Sequence, residues 1–327
     1  MATYTLVKFK NMTPLHMGTG KENYDFSATM LQSDTLSSAL AAIRVQMDAN
    51  TDVETFLDSF VVSSAFPYAG DCYFLPKPQG RVDISVVDGD EYISRKKLKK
   101  LKFLESSLWN KIISGEKTEV KQAQLQGSFL LKTSDEDFDR PYLSLVNQRV
   151  TVPREEGLDA EPFFFEWTYF HENAGLYCLL DVPNEKREEI ILLFRLLGEA
   201  GIGTDRNVGG GKFEVETSQL TLPEVPSANA SMLLSLYLPK KEEMEYLNLD
   251  DSKYELLLRG GYISGSSFED FIHLRKKSVY MFNYGSIFRT TQPLKGKVVD
   301  LRPEWNDGRL HPVMRSGKPF VIPIKNG

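Results

Sequence analysis

Apolar and polar positions repeat with two different periods along the first two-thirds of the chain. Thr3–Lys10 alternates apolar and polar side chains, which predicts a β-strand. Ser33-Asp34-Thr35 then marks the start of a helix, and we expect one of these polar side chains to cap it. The apolar residues of this helix recur at helical spacing and form a buried face of Leu36, Ala39, Leu40, Ile43 and Met47.

Two further strands follow a long irregular segment that runs from Asn50 to about Pro162. Phe163–Tyr169 and Leu176–Asp181 are predicted to pair with each other and to turn at His171–Gly175. Most of the aromatic residues at 163–167 are expected to pack in the core, because consecutive aromatics in a strand usually place one face there.

A second amphipathic helix is predicted to begin at Asn184, as its cap, and to end at Gly198. Its buried face consists of Ile190, Leu193, Phe194 and Leu197. A strand from Phe213 to Leu220 completes the order strand, helix, strand, strand, helix, strand. That order is the ferredoxin-like pattern, and the irregular segment is assigned to insertions within it.

The remainder of the chain is predicted to form a separate, smaller domain. Pro223–Ala228 contains two prolines and small residues, which is typical of a linker. One helix is expected at Lys240–Leu247, and strands are expected at Met232–Leu238, Tyr254–Tyr262, Ser278–Phe282, Val298–Leu301 and Phe320–Ile324. The fold class is therefore α+β, with domains at 1–223 and 224–327 and large insertions in the first.

Composition narrows the class of protein. Hydrophobic residues make up 41% of the 327 residues and charged residues 26%, which is typical of a globular protein. The first ten residues lack the pattern of a signal peptide, and the most apolar stretches, Ile190–Leu197 and Pro162–Phe170, are short and carry charges. We therefore expect a cytoplasmic protein without membrane contact. Cys72 and Cys178 are too few for a disulfide framework, and the scattered histidines and acidic residues predict no metal site or cofactor.

Charge is unevenly distributed around a net value of −6. This balance argues against unselective coating of nucleic acid but allows a local basic groove. The basic cluster Arg95–Lys102 is expected to be mainly a solvated helix face, with the apolar side chains turned inward at Leu98, Leu101 and Leu104. Acidic residues collect at Asp135–Asp139 and Glu242–Glu245, and such a surface suits a protein partner.

Six glycines within Gly198–Lys212 form the strongest local pattern in the chain. A P-loop is excluded because Arg206 stands where its first glycine belongs and Phe213 follows Lys212. A dinucleotide-binding loop is excluded because Arg206 also occupies the place of its third glycine.

What remains is a flexible turn or a loop of free backbone N–H groups that binds phosphate. Backbone N–H groups and a guanidinium suit the phosphates of an extended RNA strand. We favour RNA binding, with candidate contacts at Gly201, Gly203, Thr204, Arg206, Asn207, Gly209, Gly210, Gly211 and Lys212.

Motifs spread over nearly the whole chain resemble a known superfamily. The glycine-rich loop after a helix, together with Leu31–Leu40, resembles the repeat-associated RAMP superfamily. Phe66-Pro67-Tyr68, Pro76-Lys77-Pro78 and His311–Lys318 are similar to the family that forms the fourth subunit of the Csm complex, the type III-A CRISPR effector.

The resemblance implies two ferredoxin-like (RRM-like) domains and a non-catalytic role in antiviral defence. Members are expected to hold the 5′ handle of the guide RNA (crRNA) and to dock the large polymerase-nuclease subunit beside a neighbouring backbone RAMP subunit. A projecting thumb is expected to act indirectly on target RNA by disturbing the guide–target duplex. Arg149–Glu161 is the candidate for this thumb.

His16 lies in the loop after the first strand, where related endoribonucleases place a catalytic histidine. We expect it to contact RNA with Met17 and Gly18, although an ordinary loop histidine remains open. Catalysis needs a second acid–base group at hydrogen-bond distance, and His171, His273 and His311 are far away in the sequence.

Other candidate RNA contacts have structural alternatives. Ser33 is at least part of a helix start, whose N-terminus also attracts phosphate. Arg149 and Arg154 lie in the thumb candidate, and Tyr262 follows glycines that open the backbone beside Arg259. His311 and Arg315 either meet RNA or cap the last strand. Lys77 belongs to one of the resemblance motifs.

Three functions are therefore open. The favoured one is the guide-holding subunit. The second is a metal-independent RAMP endoribonuclease that processes repeat RNA with His16. The third is a protein-only scaffold whose acidic surface docks the large subunit.

Overall fold

The computed structural model describes residues 2–18, 25–28, 30–133, 140–155, 157, 159–263, 268, 271, 274–304 and 307–325. Within these ranges the α-helices are α1 (Ser33–Met47), α2 (Val53–Asp58), α3 (Glu91–Lys100), α4 (Ser106–Ile113) and α5 (Asn184–Ala200). Short 3-10 helices lie at Gln122–Gln124, Arg206–Val208 and Lys241–Glu245. None of the described helices is long and apolar enough to cross a bilayer.

The strands of the first two-thirds of the chain are β1 (Ala2–Lys10), β2 (Val61–Val62), β3 (Phe66–Ala69), β4 (Cys72–Pro76), β5 (Ile84–Val86), β6 (Phe103–Glu105), β7 (Thr118–Val120), β8 (Leu125–Gln126), β9 (Phe129–Leu130), β10 (Tyr142–Thr151), β11 (Glu161–Phe170), β12 (Ala174–Asp181) and β13 (Glu214–Leu222). Those of the last third are β14 (Ala230–Leu233), β15 (Leu256–Arg259), β16 (Val279–Phe282), β17 (Ile287–Phe288), β18 (Val298–Asp300), β19 (Met314–Ser316) and β20 (Val321–Ile324).

A central sheet organises the first two-thirds of the chain. Its strand order is β13-β1-β12-β3-β4-β6-β9-β8, with β2 also paired to β12. The four strands β13, β1, β12 and β3 are antiparallel neighbours, and α1 and α5 connect them in the order strand, helix, strand, strand, helix, strand. This order was predicted, but its second strand is β3 and not the predicted segment Phe163–Tyr169. The strands β4, β6, β9 and β8 extend this sheet, and β5 and β7 pair as a separate two-stranded sheet. The insertion is therefore ordered structure rather than irregular chain.

Alternation along β1 and β12 assigns the two faces of the sheet to different cores. Val7 and Phe9 face a core that contains the predicted apolar faces of α1 and α5. Leu6 and Tyr177 face the other core, which includes Trp109 of α4 and residues of the last third, among them Met232 and Ile322. The two predicted domains thus share an apolar core, while the division at 223 and 224 stays a prediction.

The last third is built from small sheets rather than one large one. The strand order is β17-β14-β20 in the three-stranded sheet, and β15 pairs with β16 and β18 with β19. All five predicted strands of this part are present, with shifted ends. The predicted helix at Lys240–Leu247 is wrong, because only a 3-10 helix forms, at Lys241–Glu245.

The predicted pairing of Phe163–Tyr169 with Leu176–Asp181 is also wrong. β11 pairs with β10 to form a separate two-stranded hairpin, from Tyr142↔Phe170 to Thr151↔Glu161. β12 lies between β1 and β3, and its residues from Ala174 to Leu180 are buried. A strand buried on both faces needs backbone partners on both edges, and the central sheet supplies them.

Neither predicted helix cap forms as expected. α1 has Gln32 at its N-cap and α5 has Pro183, and neither side chain caps its helix. Ser33 and Asp34 lie inside the first turn of α1 because tertiary partners hold their side chains. Two smaller expectations also fail. Met47 is 55% exposed at the end of α1, and α5 continues past Gly198 to Ala200.

Candidate nucleic-acid interface

The glycine-rich loop joins the end of α5 to β13, and its conformation requires glycine. The φ angles of Gly201, Gly203, Gly209 and Gly211 are 79°, 93°, 89° and 67°, values that other residues rarely adopt. A Cβ atom at Gly203 would overlap the carbonyl oxygen of His16, and one at Gly211 would overlap that of Ile202. The glycines are therefore explained by close approach of the chain to itself.

Most backbone N–H groups of this loop donate hydrogen bonds within the protein. Thr204 donates to the carbonyl oxygen of His16 at 3.0 Å and Gly211 to that of Pro14 at 2.9 Å. The N–H of Lys212 donates to Oγ1 of Thr13 at 2.8 Å. The expectation of a loop of free N–H groups is wrong, because buried backbone has to satisfy its donors internally. Any RNA contact here falls mainly to side chains.

The segment Thr13–Gly18 lies directly against the glycine-rich loop. The His16 side chain is only 1% exposed, its Nδ1 atom lies 2.7 Å from the carbonyl oxygen of Glu166, and its ring stacks 4.3 Å from that of Phe165. Met17 is buried and Gly18 is exposed. Within the described part of the chain, the imidazole has no second acid–base side chain at hydrogen-bond distance. Burial also argues against contact between this ring and RNA.

One face of the β10–β11 hairpin completes the arrangement. Arg149 forms an ion pair with Asp205 of the loop at 2.5 Å, and its guanidinium lies 4.5 Å from the ring of Phe165. Trp167 is buried, and its ring fills the space where a Cβ atom of Gly210 would lie. We call the loop Gly201–Lys212, the segment Thr13–Gly18 and the hairpin residues Arg149, Phe165 and Trp167 the loop platform.

Three polar side chains of the loop platform are exposed: Arg206, Asn207 and Lys212. Thr204 has a buried hydroxyl without a hydrogen-bond partner among the described residues. The structure thus gathers the predicted loop residues with His16, Met17, Gly18 and Arg149. Only some of them point their side chains outward.

A second cluster joins α1 to the last third of the chain, and we call it the seam: Asp34, Arg259, Lys276 and Arg315. Asp34 is fully buried and accepts hydrogen bonds from Nε of Arg259 at 2.8 Å and from Nη1 of Arg315 at 2.5 Å. Ser33 accepts a hydrogen bond from the N–H of Leu236 at 2.9 Å. Burial alone would raise the pKa of Asp34, but the two arginines more than offset this and lower the pKa to about 2.

Lys276 is a member of the seam that the sequence analysis missed. Burial, and then the charge of Arg315, lower its pKa from 10.5 to about 8, and Asp34 offsets this only in part. Among the described residues no carboxylate lies within ion-pair distance of its ammonium group. The basic triplet Arg275-Lys276-Lys277 was the available signal.

The other predicted residues lie outside the loop platform. Tyr262 is 38% exposed, and the guanidinium of Arg275 lies 4.9 Å from its ring. His311 is exposed and its Nδ1 lies 2.8 Å from the carbonyl oxygen of Pro312. Lys77 is partly buried, which lowers its pKa, and Arg154 is exposed beyond the end of β10.

Two remaining predictions have different outcomes. The basic cluster does place Leu101 and Leu104 in the core, with Lys96, Lys99 and Lys100 exposed. Asp135–Asp139 and His273 lie outside the described residues. No group of three or more potential metal-ligating side chains occurs among the residues that are described.

Comparison with known proteins agrees with the resemblance seen in the sequence. Residues 8–214 match the family model of the RAMP superfamily, and residues 226–324 match that of the CRISPR Csm4 C-terminal domain. The "CRISPR system Cms protein Csm4" of Thermococcus onnurineus (strain NA1) is 29% identical over 245 residues, covering 72% of this chain and 76% of the relative. Its counterpart in Mycobacterium tuberculosis (strain ATCC 25618 / H37Rv) is 28% identical over 316 residues, covering 93% of each chain.

Solved structures show the same fold. A chain of a Csm1-Csm4 cassette crystallised with cA4 has a TM-score of 0.62 at 22% identity, with 99% of this chain and 98% of that chain covered. A chain of a Csm3-Csm4 subcomplex of a type III-A interference complex has a TM-score of 0.59 at 17% identity, with 98% and 100% covered.

The chain belongs to the RAMP superfamily. Within it, the predicted resemblance to the fourth subunit of the Csm effector is confirmed by the C-terminal family match and by the Csm4 relatives.

Proposed function

We propose that this chain is a non-catalytic, cytoplasmic subunit of a type III-A CRISPR effector that binds the 5′ handle of the guide RNA. The observation that carries the proposal is the loop platform. Arg206, Asn207 and Lys212 project from a loop whose backbone is fixed by hydrogen bonds to the Thr13–Gly18 segment.

Such a surface suits a single strand of RNA for two reasons. A guanidinium, an ammonium and an amide can contact successive phosphates and sugars of an extended strand. Because the loop is already ordered, little conformational entropy is lost when the RNA binds, and this preorganisation favours affinity.

The protein partners follow from the relatives. Their structures are described as Csm1-Csm4 and Csm3-Csm4 complexes. We infer that this chain docks the large polymerase-nuclease subunit on one side and a backbone RAMP subunit on another. Both halves are proposed to be ferredoxin-like, as the family implies.

The β10–β11 hairpin is proposed as the thumb that acts on the guide–target duplex. The hairpin face opposite Arg149 exposes apolar side chains, with Val146 52%, Val150 55% and Phe164 57% exposed. Val150 belongs to the Arg149–Glu161 segment, and Phe164 lies three residues beyond its end. Exposed apolar residues at a projecting end suit contact with bases.

The non-catalytic assignment is supported by the surroundings of His16. General acid–base cleavage needs groups that reach the RNA, and this imidazole is buried with a main-chain carbonyl oxygen as its hydrogen-bond partner. A bound RNA cannot reach the ring in this conformation. The endoribonuclease alternative is therefore not favoured.

The test is binding of a fluorescent single-stranded RNA with the handle sequence to the full chain, with Arg206→Ala and Lys212→Ala combined. We expect about tenfold weaker binding and a smaller salt dependence, since about two phosphate contacts are lost. The matched control combines Lys117→Ala and Lys241→Ala, which remove the same charge from exposed positions elsewhere.

Equal affinity of the two double variants would remove the loop platform from the RNA site. Cleavage of a repeat RNA by the purified chain, abolished by His16→Ala, would instead establish the endoribonuclease.

A further inference from the structure

The seam holds more positive charge than its own carboxylate neutralises. Arg259, Lys276 and Arg315 surround Asp34, and the described residues provide no second carboxylate in ion-pair contact with any of the three. Buried or half-buried charges without a partner are unfavourable, so three cations around one anion need an explanation.

Asp34 orients the two guanidinium groups but does not saturate their hydrogen-bond donors. Each guanidinium presents five N–H donors, and Arg315 uses one nitrogen on Asp34 while Arg259 uses two on Asp34 and Thr35. The ammonium group of Lys276 has no carboxylate partner among the described residues. The arrangement therefore fixes donor groups in place with hydrogen-bonding capacity left over.

The cluster is not fully enclosed among the described residues. The Arg259 side chain is 22% exposed, and Lys276 is likewise only partly buried. The N–H of Lys276 donates to the carbonyl oxygen of Gly261 at 3.1 Å, and a Cβ atom built at Gly261 would meet nothing within 4 Å. The exposed Tyr262 follows directly. A small anionic group carried by a nucleic-acid strand can thus approach the cations beside the ring of Tyr262.

We infer that Arg259 and Arg315, held in place by Asp34, form together with the nearby Lys276 a binding site for one phosphodiester group of the guide RNA at the seam between the two halves of the chain. The inference rests on the proposed function, because that function supplies the RNA strand. A phosphodiester fits because guanidinium and ammonium groups together neutralise it and its oxygens accept several hydrogen bonds.

The titration of Lys276 predicts that the affinity of this site for RNA depends on pH. Its pKa in the free protein is lowered to about 8 by burial and by Arg315 and Arg259, with Asp34 acting in the opposite direction. A bound phosphate favours the charged ammonium and raises this pKa, so RNA binding is coupled to proton uptake once Lys276 begins to lose its proton. Affinity should consequently fall as the pH rises above about 8.

The experiment measures anisotropy of labelled handle RNA with the full chain, at constant ionic strength, from about pH 7 to about pH 9.5. Lys276→Met should bind roughly five- to tenfold more weakly at pH 7 and lose the pH dependence. Lys276→Arg should keep the affinity that the parent chain has at pH 7. Its affinity should not change with pH, because an arginine stays charged throughout. The matched control is Lys277→Met, since Lys277 is exposed and lies 3.6 Å from Glu304.

A folding defect is separated by thermal unfolding. Charging Lys276 at neutral pH opposes folding, so Lys276→Met should unfold at the same or a higher temperature than the parent chain. A weaker-binding variant that is equally stable therefore reports the site itself.

Other outcomes overturn the inference in distinguishable ways. Equal affinity of Lys276→Met and Lys277→Met, with weakened binding of the Arg206 and Lys212 double variant, removes the seam site and leaves the proposed function intact. Lack of RNA binding by the unaltered chain and by its reconstituted complex overturns both. Stabilisation by inorganic phosphate with no effect of Lys276→Met on RNA affinity identifies a free-phosphate site. Loss of large-subunit docking alone identifies a protein contact.

Discussion

The loop platform and the seam both present cations, but opposite means hold them in place. In the loop platform the backbone is fixed by glycines and main-chain hydrogen bonds, and the charged side chains of Arg206 and Lys212 remain exposed. At the seam the side chains are fixed instead, by a buried carboxylate. The fold of the first arrangement depends on glycine, whereas that of the second depends on the charge of Asp34.

The largest expected effect is removal of the carboxylate at the seam. Asp34→Ala leaves two partly buried guanidinium groups without their counter-charge and should lower the free energy of unfolding by about 3–5 kcal/mol. Chemical denaturation of the full chain measures this. A loss below about 1 kcal/mol would mean that the seam behaves as a surface ion pair.

Glycine replacement tests the loop platform in the complementary way. Gly211→Ala combines a φ of 67° with overlap between the new Cβ atom and the Ile202 carbonyl oxygen, and should cost about 3 kcal/mol or more. Gly209→Ala is the matched control, because its φ is 89° but nothing lies within 4 Å of the new atom. It should cost only about 1–2 kcal/mol.

Urea denaturation measures the loss of stability in both variants, and hydrogen exchange at the Lys212 and Gly211 amides measures the local loss in the loop. Similar losses of stability in Gly211→Ala and Gly209→Ala would show that backbone strain, rather than close approach, is the reason for glycine at these positions.

Acid should weaken the seam and spare the loop platform. The pKa of Asp34 is lowered from 3.8 to about 2, so its ionised form stabilises the fold above pH 3.8 and this stabilisation disappears as the pH falls toward 2. Ionisation of Asp34 contributes about 2 kcal/mol to the free energy of unfolding. The free energies of unfolding of the parent chain and of Asp34→Asn, measured as a function of pH, should converge at low pH. A constant difference between them at all pH values would contradict the lowered pKa of Asp34.

The smallest effect is expected for the ion pair within the loop platform. Arg149 and Asp205 are about one-third exposed, so Asp205→Ala should cost at most about 1 kcal/mol. Its effect on RNA affinity should also be small, because the loop is held by main-chain hydrogen bonds. A large loss of binding would show that Arg149 has to be oriented by this carboxylate.

The sequence predicted what depends on local periodicity. The apolar faces of α1 and α5 and the strands β1, β12 and β13 follow from repeats of two and three to four residues, and the structure contains them. The remaining strand of the predicted order was misassigned, because β3 and not Phe163–Tyr169 pairs with β12. Glycines pointed to the loop, but one reason for them is the close approach of Gly203 to His16, which is almost two hundred positions away. No local sequence pattern predicts a contact between residues so far apart in the chain.

The seam was hidden for the same reason. Ser33-Asp34-Thr35 has the composition of a helix cap, and only tertiary contacts with Arg259 and Arg315 turn Asp34 into the centre of an ion-pair cluster. Lys276 lies in a basic triplet of ordinary appearance, and its desolvation exists only in the folded chain.

The core shared by the two halves has a consequence for a nicked protein. Leu6 and Tyr177 of the central sheet are covered by residues such as Met232 and Ile322 from beyond the linker. A protease that cuts within Pro223–Ala228, where several residues are exposed, would leave fragments that still cover each other's apolar surface. We expect such fragments to copurify, and to complement each other when the two pieces are produced separately and mixed.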